Sequence, residues 1–187
     1  MAITKKKKKF FDVDIPIIDK QTQLYALDIK ELENRYIKYD LTRILRGKNT
    51  LLRLKVIVKG DEATSIPVEL EIMSSFLKRV VRKGTDYIED SFSAESKNAK
   101  LRIKPLLITR EKVSKKIRKV LREKAREELI KYVKSKDSEE IFEDILKGKF
   151  QKELSLKLKK IYPLSFCDIR ILKVERFLDK KESIKTE

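Results

Sequence analysis

The sequence predicts an α+β domain in which amphipathic helices flank an antiparallel sheet or a small β-barrel. Two observations predict this fold class. Several segments alternate apolar with polar residues, which is typical of half-buried strands, and others carry the spacing of amphipathic helices. These segments follow in the order strands, helix, hairpin, helices, strand, without internal repeats or a Pro/Gly-rich linker, in a chain of 187 residues. That length suits a single domain.

Three parts are expected along the chain. Residues 1–20 form a basic N-terminal arm with an irregular anchor, residues 21–177 form the single α+β domain, and residues 178–187 form a polar tail that frays. The arm carries five consecutive lysines, Lys5–Lys9. Because such a segment has no apolar surface to bury, we expect it to become ordered only on binding a polyanion.

The first half of the predicted sheet is a three-stranded meander. Alternating residues at 36–44, 51–59 and 64–70 are separated by turn residues at 47–49 and 60–61. Strand segments joined by such short turns pair antiparallel with their chain neighbours.

The pattern then changes from strand to helix and back. Apolar residues between Ile72 and Val81 recur at helical spacing, and Gly84 is predicted to end this helix. Residues 87–93 and 99–109 predict a hairpin. In its second strand Lys100, Arg102 and Lys104 alternate with apolar residues, so one face covers the core and the other presents cations.

A long amphipathic helix is predicted next, because apolar residues from Val113 to Val133 keep helical spacing, including Val120. Two shorter helices follow, closed by Gly148 and by Pro163, and the last strand is predicted at 166–177.

The charge of the chain indicates a polyanionic partner. There are 47 Lys and Arg against 30 Asp and Glu, a formal net charge of +17. Residues 97–126 contain 13 basic and two acidic side chains, a local excess of +11 that i,i+4 ion pairs cannot neutralise. Nucleic acid is the favoured partner of such a protein, and an anionic membrane surface is the second.

Nothing in the sequence indicates an enzyme. The chain has no histidine, a single cysteine (Cys167) and four scattered glycines, which excludes histidine-dependent triads, cysteine-based zinc sites and phosphate-binding glycine loops. We expect Cys167 to be a buried structural thiol. No catalytic residue, metal or cofactor is expected, although two acidic groups could in principle bind metal ions: Asp86, Glu89 and Asp90, and Glu139, Glu140, Glu143 and Asp144.

Several segments together resemble one known family. They are KKFFDV at 8–13, LKRVVRKGT at 77–85, IRK at 117–119, KKIYPL at 159–164 and DIR at 168–170. In this order they are similar to motifs of the small-subunit ribosomal protein family S-three-A-e, also called eukaryotic-type S-one, of archaea and eukaryotes. The chain is identified as a member of this family, and its short tail suggests an archaeal member.

The resemblance implies a non-enzymatic structural constituent of the small ribosomal subunit, located in the cytoplasm. It implies a barrel-like antiparallel sheet with flanking helices, placed on the platform near the mRNA exit and the 3′ end of the rRNA. The implied partners are small-subunit rRNA, neighbouring platform proteins and mRNA near the exit, with no membrane. Composition alone leaves open a free basic nucleic-acid-binding protein outside the ribosome.

The rRNA-binding surface is expected on the lysine arm, the basic strand face, the end of the first helix and the outer face of the long helix. Its residues are Lys5, Lys6, Lys7, Lys8, Lys9, Arg79, Arg82, Lys83, Lys100, Arg102, Lys104, Arg110, Lys115, Lys116, Arg118, Lys119 and Arg122. They would neutralise phosphates and release counterions. The sequence identifies no cluster of exposed aromatic residues, so it does not support a platform for stacking single-stranded bases.

Overall fold

The computed structural model describes residues 7–178, so Lys5, Lys6 and the predicted tail from residue 179 onward lie outside the described residues. Nine strands and four helices occur in this described part. In chain order they are β1 Lys9–Ile15, β2 Lys20–Ala26, β3 Tyr36–Asp40, β4 Thr50–Lys59, β5 Glu62–Ile72, α1 Ser74–Val80, β6 Tyr87–Glu89, β7 Phe92–Glu95, β8 Ala99–Thr109, α2 Lys115–Ser135, α3 Ser138–Leu146, α4 Lys149–Lys159 and β9 Leu164–Phe177.

The strands form one largely antiparallel, open sheet. Its main path runs β2-β1-β5-β9-β8-β6, while β4 pairs with β3 and β5, and β7 pairs with β8. β1 and β5 pair in parallel at Val13 and Ala63. The predicted α+β class is confirmed in its open-sheet form, and the strands between residues 7 and 178 do not close into a barrel.

The chain divides into two compact units. Among the described residues, one contains residues 7–39 together with Leu52–Val68, and the other contains Asp40–Leu51 and residues 69–178. Buried aliphatic side chains fill both units. The expected division into an arm at 1–20 and a single domain at 21–177 stays a prediction.

The first unit begins with a regular hairpin, so the prediction of an irregular anchor was wrong. β1 and β2 pair antiparallel along their whole length, and Pro16 opens a 3₁₀ turn between them. Val13 and Ile15 are buried, whereas Asp12 and Asp14 are exposed. This alternation is a strand pattern, and the preceding run of lysines obscured it.

β8 is the central strand of the second unit. It pairs with β9 on one side and with β6 and β7 on the other. Pro105, which has no N–H to donate, lies between the segments that pair with β7 and β6, where the register to β9 shifts. As predicted, Lys100, Arg102 and Lys104 lie on one face of β8 and alternate with buried apolar residues.

α1 packs on the face of β8 that carries these cations. Its Leu77 lies in a buried cluster with Leu106 and Ile108, which share the face of Lys104 by strand alternation. The helix ends at Val80 with Val81 as its C-cap, so the prediction that Gly84 ends it was wrong. Gly84, with φ +85°, instead turns the chain towards β6.

α2 packs on the opposite face of β8. The guanidinium of Arg126 lies 5.3 Å from the ring centre of Phe92, and Phe92 pairs with Ile103 across the sheet. The buried stripe of α2 is Leu121, Ala125, Leu129 and Val133. The predicted stripe was too long at its N-terminal end, because Val113 precedes the helix and Val120 is 47% exposed.

The remaining elements follow the prediction with small shifts. α3 ends at Leu146 with Lys147 as its C-cap, and Gly148, with φ +69°, closes it as predicted and is also the N-cap of α4. α4 packs against β9, which begins at Leu164, just after Pro163.

Candidate nucleic-acid interface

The predicted rRNA-binding residues that the structure describes fall into three groups. The sheet-face cluster comprises three cations on one face of β8 and three on α1 or in the loop after it: Lys100, Arg102, Lys104, Arg79, Arg82 and Lys83. The helix-start cluster lies around the first turns of α2 and contains Arg110, Lys115, Lys116, Arg118, Lys119 and Arg122. The lysine arm is described for Lys7, Lys8 and Lys9 only.

A single carboxylate, Asp86, joins the segments that carry the first two clusters. Its Oδ2 accepts a hydrogen bond of 2.8 Å from the backbone N–H of Val113 and lies 3.9 Å from Nε of Arg118. Its backbone exchanges hydrogen bonds with Thr109, which is the last residue of β8. The loop after α1, the end of β8 and the start of α2 are therefore held together at this residue, which we call the Asp86 junction.

The first turns of α2 extend beyond the buried stripe. No residue from Lys115 to Val120 is buried, and Ser114 caps the helix by accepting a hydrogen bond of 3.4 Å from the N–H of Ile117. The first turn contains no acidic residue. Lysines therefore stand at the positive end of the helix dipole, where cations are unfavourable unless an anion approaches.

Most cations of the helix-start cluster have no ion-pair partner. Between residues 7 and 178, the side chains of Arg110, Lys115, Lys116 and Arg122 form neither an ion pair nor a hydrogen bond, and all four are exposed. Lys119 lies 3.8 Å from Glu123 in an exposed pair of little strength. Arg118 is half-buried against Asp86, so the prediction that it lies on the outer face of the helix was wrong.

The sheet-face cluster is more strongly engaged in contacts within the protein. Arg102 donates to Glu175 at 2.6 Å, and this hydrogen bond holds the pKa of the Glu175 carboxyl below its usual range. Arg79 donates to Asn49 at 2.8 Å and lies 5.5 Å from the ring centre of Phe76. These contacts fix the direction of the two guanidinium groups while leaving both side chains exposed.

Several of the acidic residues that were candidate metal ligands have other partners. Glu89 accepts from Arg170 at 2.6 Å, Glu143 from Lys147 at 2.7 Å, and Asp144 from Tyr132 at 2.6 Å and from Lys136. Within the described range, no three Asp, Glu, Cys or His side chains are grouped as a metal site requires. Burial raises the pKa of the Cys167 thiol to about 12. None of the described helices is both long and apolar enough to span a membrane.

Sequence reasoning missed two features of this surface. It weighed Asp86 only as a metal ligand, because its partners Thr109 and Val113 lie more than twenty residues away and give no local signal. It also missed an exposed aromatic pair, Phe10 and Tyr25, whose contact depends on the register of the first hairpin.

Comparison with known proteins agrees with this picture. A model of the Ribosomal S3Ae family matches residues 4–177. The small ribosomal subunit protein eS1 of Methanothermobacter thermautotrophicus is 31% identical over 113 residues, which are 60% of this chain and 58% of that relative. The protein of the same name from Nanoarchaeum equitans is 28% identical over 174 residues, which are 88% of this chain and 87% of that relative.

Fold, charge and relatives together define a basic α+β protein of ribosomal type. The chain belongs to the Ribosomal S3Ae family. The resemblance identified from the sequence motifs is thereby confirmed, and both relatives named above are archaeal.

Proposed function

We propose that this protein is a structural, non-catalytic constituent of the small ribosomal subunit that binds rRNA. The proposal places it in the cytoplasm, on the platform near the mRNA exit and the rRNA 3′ end, beside other platform proteins. The names of its relatives and the family to which it belongs support the ribosomal role.

The observation that carries rRNA binding is the helix-start cluster. Residues 110–122 contain seven basic side chains and one acidic side chain. Since folding places four of these cations at an exposed helix start without partners within the described part of the chain, they remain available for phosphates. Arginine side chains bind phosphate bidentately, lysines act as point charges, and folded RNA is contacted mainly through its backbone and shape.

Sedimentation of cell extract through a sucrose gradient tests the proposal. The chain should move with small subunits and translating ribosomes at moderate salt and remain with them at high salt. Cosedimentation that survives salt is expected of an integral component, because many phosphate contacts and protein neighbours must be released together.

Loss of cosedimentation would contradict the ribosomal role. If the chain stays near the top of the gradient, or leaves the subunits at modest salt, the protein is a free basic nucleic-acid-binding protein. As a control, the same fractions are probed for another small-subunit protein of the extract that is known to remain bound at high salt. Its position in the gradient shows whether the subunits themselves stayed intact.

A further inference from the structure

The first hairpin presents two aromatic rings to solvent. Phe10 on β1 and Tyr25 on β2 are cross-strand partners, their ring centres lie 4.9 Å apart, and the rings are tilted by 44°. Phe10 is 68% exposed and Tyr25 is 52% exposed. An exposed aromatic pair on one sheet face offers ring surface on which a planar partner can stack.

Cations lie beside this aromatic pair, at the end of the hairpin where the lysine arm begins. Nζ of Lys8 lies 5.7 Å from the ring centre of Tyr25, and the exposed Lys7 precedes Lys8 along the chain. Arg35, also exposed, donates to the backbone carbonyl of Tyr25 at 3.4 Å. The aromatic surface therefore has positive charge at its edge, which suits a ligand that combines flat rings with negative charge.

The acidic residues of the hairpin lie further along the same face. By strand alternation, Asp12 and Asp14 follow Phe10 on its side of β1, and Asp14 accepts a hydrogen bond of 2.8 Å from Gln21. These carboxylates disfavour a phosphate backbone laid along the whole hairpin. The two carboxylates therefore favour phosphates only at the end of the hairpin next to the lysine arm. The aromatic rings can then contact the uncharged bases.

We propose that the Phe10–Tyr25 pair is a stacking site for unpaired bases of the small-subunit rRNA, with the adjacent phosphates held by Lys7 and Lys8. The inference rests on the proposed function and adds a site that differs from the two basic clusters in its chemistry. Aromatic side chains stack on bases of any sequence, and nearby cations supplement this contact. The site selects single-stranded RNA, because a duplex keeps its bases within its own stack.

The first test measures whether the site recognises bases. The full chain and a Phe10→Leu/Tyr25→Leu variant are titrated with a short oligouridylate and with an abasic oligonucleotide of equal length and charge. Wild type should bind the oligouridylate more tightly, by about 5- to 100-fold for one or two stacked bases, and the variant should lose most of this preference. Leucine keeps an apolar side chain at both exposed positions, so the loss would report the rings.

Controls separate stacking from charge and from unfolding. Phe177→Leu removes another exposed aromatic ring, 45% exposed, and should leave the preference unchanged. Tyr25→Phe keeps the ring and should also retain it. The salt dependence of binding should be equal in wild type and the Leu variant, because stacking releases no counterions. The proposal is overturned if the Leu variant still prefers the oligouridylate, or loses affinity for the abasic strand to the same extent.

The second test identifies the RNA. Small subunits carrying wild type or the Leu variant are probed, without mRNA, with a reagent that modifies unpaired bases. A small, defined set of rRNA bases should become more reactive in the variant, while cosedimentation with the subunit persists. If reactivity is unchanged, or changes only when mRNA is added, the rRNA assignment fails. Because cosedimentation is recorded separately, this failure differs from a failure of the proposed function.

Discussion

Single acidic side chains decide which basic residues of this protein are paired and which remain exposed to solvent. Asp86 is the main example: its carboxylate accepts from Val113 and faces Arg118. One acidic residue at the base of a cluster of cations lowers their mutual repulsion and fixes the loop between β8 and α2. Asp86 therefore has a structural role. The sequence alone also allowed it to bind a metal ion together with Glu89 and Asp90.

Replacement of Asp86 tests this role. Asp86→Ala leaves the half-buried N–H of Val113 without its acceptor, so we expect the free energy of unfolding to fall by about 1–3 kcal/mol. Glu111→Ala is the matched control, because it removes the same charge from the adjoining loop, where the Glu111 side chain is exposed. Urea denaturation measures both variants. Equal stability of the two would show that Asp86 acts only through its charge.

A second group of side chains links stability to pH. Hydrogen bonds from Lys136 and Tyr132 hold the pKa of the Asp144 carboxyl below its usual range. The folded state therefore favours the ionised carboxylate, and the resulting stability is present at neutral pH and is lost as the pH falls through the pKa of the folded protein. Burial, with the hydrogen bond to Asp144, raises the pKa of Tyr132 to about 12, so its contribution is lost only in strong alkali.

We therefore expect Asp144→Asn to lower the free energy of unfolding by about 1 kcal/mol near neutral pH. The difference from wild type should shrink as the pH falls below the usual titration range of an aspartate, because the wild-type carboxyl then also becomes protonated. Glu140→Gln, at an exposed position of the same helix, serves as the control. A difference that stays constant across the acid range would contradict the proposed linkage.

At the scale of the element, the start of α2 has a composition that favours binding over stability. Lysines occupy the first two helical positions, Lys115 and Lys116, where acidic residues would be favourable for the dipole. A segment selected for helix stability alone would reverse these charges. The helix-start cluster is thus best explained by an anionic partner that the isolated protein lacks.

This explanation predicts opposite changes in stability and binding. Lys115→Gln/Lys116→Gln should raise the melting temperature by about 1–2 °C, because unfavourable charges leave the helix N-terminus. The same change should weaken rRNA binding and reduce the slope of log K against log salt by about 2. In Lys131→Gln/Lys134→Gln, near the favourable end of the dipole, stability should fall slightly and binding should persist. Equal binding losses in the two variants would show that only net charge matters.

Comparing the predicted with the observed elements shows which parts of the fold the sequence alone can predict. The alternation in β4 and β8 and the stripe of α2 depend on neighbours along the chain, so the sequence predicted them well. The N-terminal hairpin was missed because strand pairing with residues 20–26 decides it, and the lysines masked its pattern. The Asp86 junction and the Phe10–Tyr25 pair were also missed, because both depend on contacts between segments distant in the chain.

At the scale of the whole molecule, the second unit presents basic residues on two sides of one sheet. The β8 cations Lys100, Arg102 and Lys104 lie on the α1 side of the sheet, whereas α2 packs on the opposite side. The Asp86 junction connects the segments that carry them. The proposed mode of binding is therefore one in which folded rRNA contacts both sides around the end of β8, rather than docking on a single flat face.

Combined variants test this arrangement. Arg82→Gln/Lys83→Gln removes two exposed cations of the sheet-face cluster, and Lys115→Gln/Lys116→Gln removes two of the helix-start cluster. If one folded rRNA contacts both, the quadruple variant should lose affinity by the product of the two losses, because effects at separated sites add in free energy. Its salt slope should fall by about 4, the sum of the two changes. Filter binding to a small-subunit rRNA fragment over a salt series measures both quantities. A quadruple variant that binds like the helix-start variant alone would show that only the start of α2 contacts the RNA, because the sheet-face cations would then make no contribution.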